Sequence, residues 1–385
     1  MALRIALPDT AGRMVEHVLT GTPVVPSRLP PDAARVVYAA AHVVADPFAA
    51  ADPSEAAAVD WKATMAFRRH LDALGLGIAE AMDTAQRGMG LDWPGALELI
   101  RRTREELPQA RVANGCGTDQ LDPAAARGLD DVRRAYGAQM EAIQRLGGRL
   151  ILMASRALAR VARGPEDYAR VYAEALGNAD QPVILHWLGE MFDPALKGYW
   201  GSSRFEEALE TVVAIIAANP AKVDGIKISL LDRDREIALR RRLPPGVRMY
   251  TGDDFNYPEL MAGDEAGFSH ALLGIFDPLA PLVAEAVGRL GAGDVAGFRR
   301  ILDPTVPLAR TIFRAPTRFY KTGVVFLAWL NGFQDHFVML AGAQAMRPLP
   351  HFCEVFRLAD GCGLLRDPDL AVARMRRLLA LYGAA

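Results

Sequence analysis

At 385 residues the chain is longer than one small core needs, and with 51% apolar and 23% charged residues it has a globular make-up that excludes disorder. A formal net charge of −2 and a pI near 6.4 exclude a surface built for phosphate backbones or anionic membranes, so neither nucleic acid nor membrane is an expected partner. Three scattered cysteines, Cys116, Cys353 and Cys362, form no CxxC pair and no disulfide framework, which fits a reducing cytoplasm.

Taken in chain order, residues 1–35 read as an N-terminal extension, in which Pro8, Asp9 and Arg13 interrupt the apolar residues before a signal-peptide core could form. From residue 36 short apolar runs alternate with longer segments of helical periodicity, the pattern of repeated βα units. Eight strands are predicted: VVYAAAHV from Val36, GIAEAM from Gly77, ARVANG from Ala110, RLILMA from Arg149, PVILHW from Pro182, VDGIKI from Val223, VRMYTG from Val247 and GFSHAL from Gly267. Between them lie amphipathic segments such as WPGALELIRRTREEL, with Pro94 suited to a first helical turn, and EDYARVYAEAL, led by acidic residues that favour a helix N-terminus.

Near-continuous apolar strands imply a parallel sheet covered on both faces. Eight units without a GxGxxG turn after the first strand favour a (β/α)8 TIM barrel over a dinucleotide-binding sheet, and the barrel is expected to span 36–314. Residues 315–385 read as a C-terminal helical segment packed on the barrel or on a neighbouring subunit. Its most apolar stretch, Gly323 to Leu330 between Lys321 and Asn331, falls far short of the ~20 residues a membrane span needs.

In such a barrel chemistry gathers at the C-terminal strand ends. The polar residues there are His42; Asp83, Thr84, Gln86 and Arg87; Asn114, Thr118 and Asp119; Ser155 and Arg156; His186; Lys227; Asp253 and Asp254; and Ser269 and His270. Lys227 interrupts the apolar run VDGIKISLL, where a buried ammonium is costly unless paired or neutral. Read from the residues alone, it is either one half of an ion pair with Asp83 or Asp253, or a partly neutral amine able to attack a carbonyl.

The order of several motifs resembles the dihydrodipicolinate synthase and N-acetylneuraminate lyase family over roughly residues 36–310. DWKATMAFRRHLDALGLGIAEAMDTAQRGMGL is similar to that family's first helix, second strand and Gly-Thr-Thr-Gly-Glu loop. VILHWLG is similar to its fifth strand, and VDGIKISLLD to the sixth, which carries the Schiff-base lysine in Gly-Ile-Lys. MYTGDDFNYPELMAGDEAGFSHALLGIFDP is similar to strands seven and eight. The resemblance implies that Lys227 forms the iminium, that Thr84 is the proton-relay hydroxyl, and that the chain is a homo-oligomer, dimer or tetramer. It implies no cofactor and no metal.

The departures matter as much. Ala85 stands where the family has the second threonine, a contact to the keto acid's carboxylate, so pyruvate is not the expected substrate. Asp83 replaces a glycine and Arg87 the loop's glutamate, which reverses the local charge. His186 falls at the family's proton-shuttling tyrosine, and imidazole suits that work near neutral pH. Arg156 lies near a second tyrosine position, where a guanidinium would suit a carboxylate or a hydroxyl-rich substrate.

One reading is therefore a Schiff-base lyase, aldolase or dehydratase acting on a 2-keto acid or keto sugar. In it Lys227 attacks, His186 and Thr84 move protons, and Asp83, Arg87, Asn114, Arg156, Asp253 and Asp254 contact a substrate that the polar rim suggests is polyhydroxylated. A second is a metal-dependent isomerase or epimerase with ligands among His42, Glu80, Asp83, His186 and the 253–254 pair, although no HxH or HExxH motif is present. A third is a barrel that binds a small molecule without turning it over.

Overall fold

The computed structural model describes residues 3–9, 11–53 and 55–384. The eight expected strands are all present, preceded by a hairpin that sequence reasoning did not foresee. That hairpin is β1 (Arg4–Pro8) paired antiparallel with β2 (Met14–Val18), and Asp9 closes its turn by accepting from the backbone N–H of Ala11 and Arg13. The strands that follow are β3 (Val37–Ala40), β4 (Gly77–Glu80), β5 (Val112–Cys116), β6 (Arg149–Leu152), β7 (Val183–Leu188), β8 (Val223–Ser229), β9 (Arg248–Thr251) and β10 (His270–Leu273). They close in the order β10-β3-β4-β5-β6-β7-β8-β9 with every neighbouring pair parallel, so the fold is a TIM barrel with an N-terminal hairpin and extra C-terminal helices.

The helices in chain order are α1 (Trp61–Ala73), α2 (Trp93–Glu106), α3 (Leu129–Arg145), α4 (Arg156–Val161), α5 (Pro165–Gly177), α6 (Phe205–Ala218), α7 (Arg233–Arg240) and α8 (Tyr257–Ala262). After the barrel come α9 (Phe276–Gly291), α10 (Val295–Leu302), α11 (Val306–Ile312), α12 (Tyr320–Leu330), α13 (Leu349–Gly361) and α14 (Pro368–Leu381). The two amphipathic segments singled out in the sequence are α2 and α5. Asp92 caps α2 by accepting from the Gly95 N–H, with Pro94 in its first turn, and Ser155 caps α4 by accepting from Leu158 N–H.

Two compact units emerge. One comprises residues 35–41 and 77–274 and contains the whole barrel; the other comprises residues 1–34, 42–76 and 275–385. In the barrel unit, Tyr38, Ala40, Ala79, Ala113, Ile151, Ile184, Tyr250 and Leu272 form one buried apolar cluster, a contribution from nearly every strand at alternate positions.

In the other unit the apolar stretch 323–330 belongs to α12. All eleven residues of this helix are buried, as expected of a helix that is apolar on every side and runs through the middle of a core. Among the described residues no helix is long and apolar enough to cross a membrane. His42 also falls in this unit: Asp277 accepts from its backbone N–H at 2.7 Å and lies 2.8 Å from its Nδ1, and its ring packs on Phe67.

Candidate active site

Lys227 lies in the middle of β8, where the register sets it beside His186 of β7 and Tyr250 of β9. Tyr250 belongs to the cluster that fills the barrel, as does Ile184, two residues before His186. Because alternate residues of a strand share a face, Lys227 and His186 project into the barrel, towards the C-terminal ends of the strands. The lysine arm passes over Gly252. A Cβ there would stand 2.8 Å from Lys227 Cε and 2.6 Å from the Ile228 carbonyl oxygen, and would collide with Ser229 Oγ. The glycine of the Gly-Asp-Asp turn thus leaves the space that the lysine uses.

Lys227 is 7% exposed, and among the described residues it makes no hydrogen bond or ion pair. Burial pulls its pKa below the ordinary lysine range, while the charges of Asp83 and Asp254 push the other way. His186 is fully buried; its Nε2 lies 3.2 Å from Ser229 Oγ, and its Nδ1 has no partner in the structure. Burial, and then the charge of Lys227, hold its pKa well below the usual histidine value. At neutral pH the imidazole is therefore uncharged, with one N–H and one lone pair to offer.

A cavity of about 260 Å³ opens beside these two groups, lined by Asp83, Arg87, Thr118, Asp119, Arg156 and His186, among others. Lys227 is not on that wall; it is the charge next to two residues that are, His186 and Asp83. Asp83 begins a short 3-10 turn, Asp83–Ala85, flanked by Ala81 (φ 53°) and Gln86 (φ 61°). Left-handed backbone at such non-glycine residues costs about 1–3 kcal/mol each and persists only where the surroundings impose it.

Arg87 braces the Ala81 end of this turn. Its Nη1 donates to the carbonyl oxygens of Ala81 (3.1 Å) and Gly115 (2.9 Å), its Nε to Asp119 Oδ2 (2.8 Å), and its Nη2 to Asp119 Oδ1 and Gln139 Oε1 (both 2.7 Å). A guanidinium has five N–H groups, and these bonds occupy all of them. The sequence expectation that Arg87 selects substrate meets a correction here: its donors are spent on holding the loop that presents Asp83.

Residues 5–384 match the family described as "Protein of unknown function (DUF993)". The chain belongs to that family. A search of curated proteins returns no match. Among solved structures, this DUF993 chain is similar to dihydrodipicolinate synthase from Thermotoga maritima, with a TM-score of 0.65 and 15% identity over 86% of this chain and 99% of that one. It is similar to the synthase from Aquifex aeolicus, at 0.60 and 13% over 91% and 98%. A prophage protein of the dihydrodipicolinic acid synthase family from E. coli K12, solved in complex with pyruvate, matches at 0.62 and 13% over 91% and 99%. At these identities the likeness is one of fold.

The remaining expected site residues of the DUF993 chain divide. Arg156 lies at the cavity mouth, half exposed, with its Nε bound to Asp193. Thr84 is buried and off the cavity wall. Asn114 turns away from the cavity: its neighbour Ala113 is the inward residue, and its own amide donates to the Arg149 carbonyl at 3.0 Å. Asp253 is a local cap rather than a substrate contact, accepting from the backbone N–H of Phe255 and Asn256 and from the Asn256 amide. Asp254 is buried and acts on Lys227 through its charge.

Two of the residues considered as metal ligands, Glu80 and His42, are engaged elsewhere. Glu80 accepts from the Ala81 N–H and from the Thr103 hydroxyl of α2, on the outward side of β4, and His42 is paired with Asp277. Among the described residues no group of three or more His, Cys, Asp or Glu could hold a metal ion.

Sequence reasoning missed Asp193, although an aspartate before Pro194 is a turn signal, and it missed the hydroxyl chain behind the wall. Thr118 Oγ1 lies 2.6 Å from Ser155 Oγ, the Ser155 N–H donates to Tyr199 Oη at 3.0 Å, and Tyr199 Oη lies 3.0 Å from Tyr172 Oη.

Proposed function

We propose that this DUF993 protein is a class I lyase, aldolase or dehydratase that forms a Schiff base between Lys227 and a small carbonyl compound, a 2-keto acid or a keto sugar. The observation that carries the reading is a buried lysine on the sixth barrel strand, with no ion-pair partner among the described residues, beside a neutral imidazole that lines a cavity. An ammonium held there without hydrogen bonds is costly, and the same features that make it costly favour the neutral, nucleophilic amine.

The chemistry follows from those groups. The Lys227 amine adds to the carbonyl carbon while the C=O electron pair moves to oxygen, which takes up a proton. Loss of that oxygen as water leaves an iminium. The iminium draws in the electron pair of an adjacent bond as it breaks: a C–H bond gives its proton to a base, and a C–C bond releases its fragment as a carbonyl compound whose hydroxyl proton goes to a base. The enamine that remains is protonated on carbon and hydrolysed to free the amine. In this reading His186 takes and returns protons at the nitrogen and oxygen. Asp83 shares that wall, and Thr84, in the same turn, supplies a hydroxyl for proton relay in this reading. Arg87 acts as a positioning residue for Asp83.

The test is to incubate wild type and Lys227→Ala with a panel of 2-keto acids and keto sugars in borohydride and to weigh the intact proteins. A substrate-sized adduct on wild type, mapped to Lys227 and missing from the variant, is expected. No adduct with any member, while some still raise the melting temperature, would return Lys227 to a structural role and leave a binding barrel.

A further inference from the structure

We infer that the compound taken by this cavity is an uncharged, polyhydroxylated ketone or aldehyde rather than a 2-oxo acid, and that Asp83 makes the choice. The inference rests on the reading of Lys227 as the Schiff-base amine.

Three aspartates, Asp83, Asp119 and Asp193, stand on the cavity wall against two arginines, Arg87 and Arg156. The wall is net negative before any substrate arrives, and the charges of Asp83 and Asp254 act on Lys227 from nearby without pairing with it. Neither arginine brings an unopposed positive charge to the wall. Arg87 has every N–H committed within the protein, and Arg156 stands at the half-exposed mouth, bound to Asp193. Ala85, in the same turn as Asp83, carries no hydroxyl to donate.

A 2-oxo acid joined to Lys227 would carry a carboxylate on the carbon next to the iminium, among acceptors that are themselves carboxylates. Like charges so placed repel one another. A hydroxyl on that carbon meets the opposite fate. Ionised Asp83 can only accept hydrogen bonds, and a hydroxyl donates one; His186 Nδ1, without a partner in the structure, offers a second contact. The volume of about 260 Å³ equals the room that about nine water molecules take in the liquid, enough for a short polyol chain.

The experiment compares two small probes, pyruvate and dihydroxyacetone, each at equal concentration with borohydride, on wild type and on Asp83→Thr, with intact-mass readout. Wild type is expected to trap dihydroxyacetone at least tenfold faster than pyruvate. In Asp83→Thr, which removes the charge and supplies a hydroxyl donor, that ratio is expected to fall at least tenfold. Faster trapping of pyruvate by wild type, or a ratio that Asp83→Thr leaves unchanged, overturns this inference while the lysine reading stands. No adduct from either probe on wild type overturns the lysine reading and this inference with it. The wild-type comparison decides even if the variant does not fold.

Discussion

Replacing Arg87 by methionine keeps most of the side chain's volume and removes its five donors. The guanidinium is nearly inaccessible, and its loss removes the ion pair of Asp119 and one donor each from the Gln139 side-chain oxygen and two backbone carbonyls, though Asp119 keeps the Gln139 amide and Gln139 Oε1 keeps the Gly117 N–H. Breaking a buried pair from one side costs about 3–5 kcal/mol. The low end applies here, because the Asp119 side chain is 28% exposed and water can partly replace the arginine. A loss of about 3 kcal/mol corresponds to a fall in Tm of roughly 6–12 °C for a unit of 150–250 residues.

The effect also has a pH signature. Burial raises the pKa of Asp119, but the hydrogen bonds and charge of Arg87 lower it more, so the folded value lies below the ordinary 3.8. A carboxylate with a depressed folded pKa contributes stability that is present above its unfolded pKa and is lost as pH falls through the folded one. In Arg87→Met the arginine's pull is gone while burial and the Gln139 hydrogen bond remain, so Asp119 takes up a proton more readily than in wild type. The gap between wild type and variant is therefore full at pH 7 and narrows near pH 4. Urea denaturation of both proteins at the two pH values measures it. A cost under about 1 kcal/mol at pH 7, or a gap that does not change with pH, would refute the assignment of Arg87 as the strut of the Asp83 loop.

Gly252→Ala sets a methyl group against the Ile228 carbonyl and the Lys227 arm; it is expected to cost about 1–3 kcal/mol in urea denaturation and to abolish borohydride trapping at Lys227. Lys227→Met removes the positive charge beside His186, so the histidine's pKa moves up while burial keeps it under the ordinary value. An NMR titration of the imidazole checks this, and an unmoved pKa would show that the two groups do not sense each other. Tyr199→Phe leaves the Ser155 N–H without its acceptor behind the cavity wall and is expected to cost about 1–3 kcal/mol in the same denaturation assay.

Much of the barrel was legible because its strands are covered on both faces and so become continuous apolar runs, of which VILHWL and VDGIKIS are entirely buried. Lys227 was legible for the same reason, as a charge inside such a run. The hairpin β1–β2 was not, since five-residue strands interrupted by Pro8 and Asp9 carry little periodic signal. Nor was the direction of each polar side chain at the strand ends. One residue of register separates an inward position from an outward one, and on that step Ala113 fills the barrel while Asn114 turns away from it.

By itself, then, the sequence determined the βα order, the eight strands and the lysine, because these follow from burial patterns local to each segment. Only the tertiary structure decided what the polar residues do. Arg87 looked like a substrate contact until Gly115, Asp119 and Gln139, 28, 32 and 52 residues away along the chain, closed around its guanidinium. Hydrogen bonds are satisfied by whatever the fold brings within about 3 Å, and no pattern of neighbours in the chain records that.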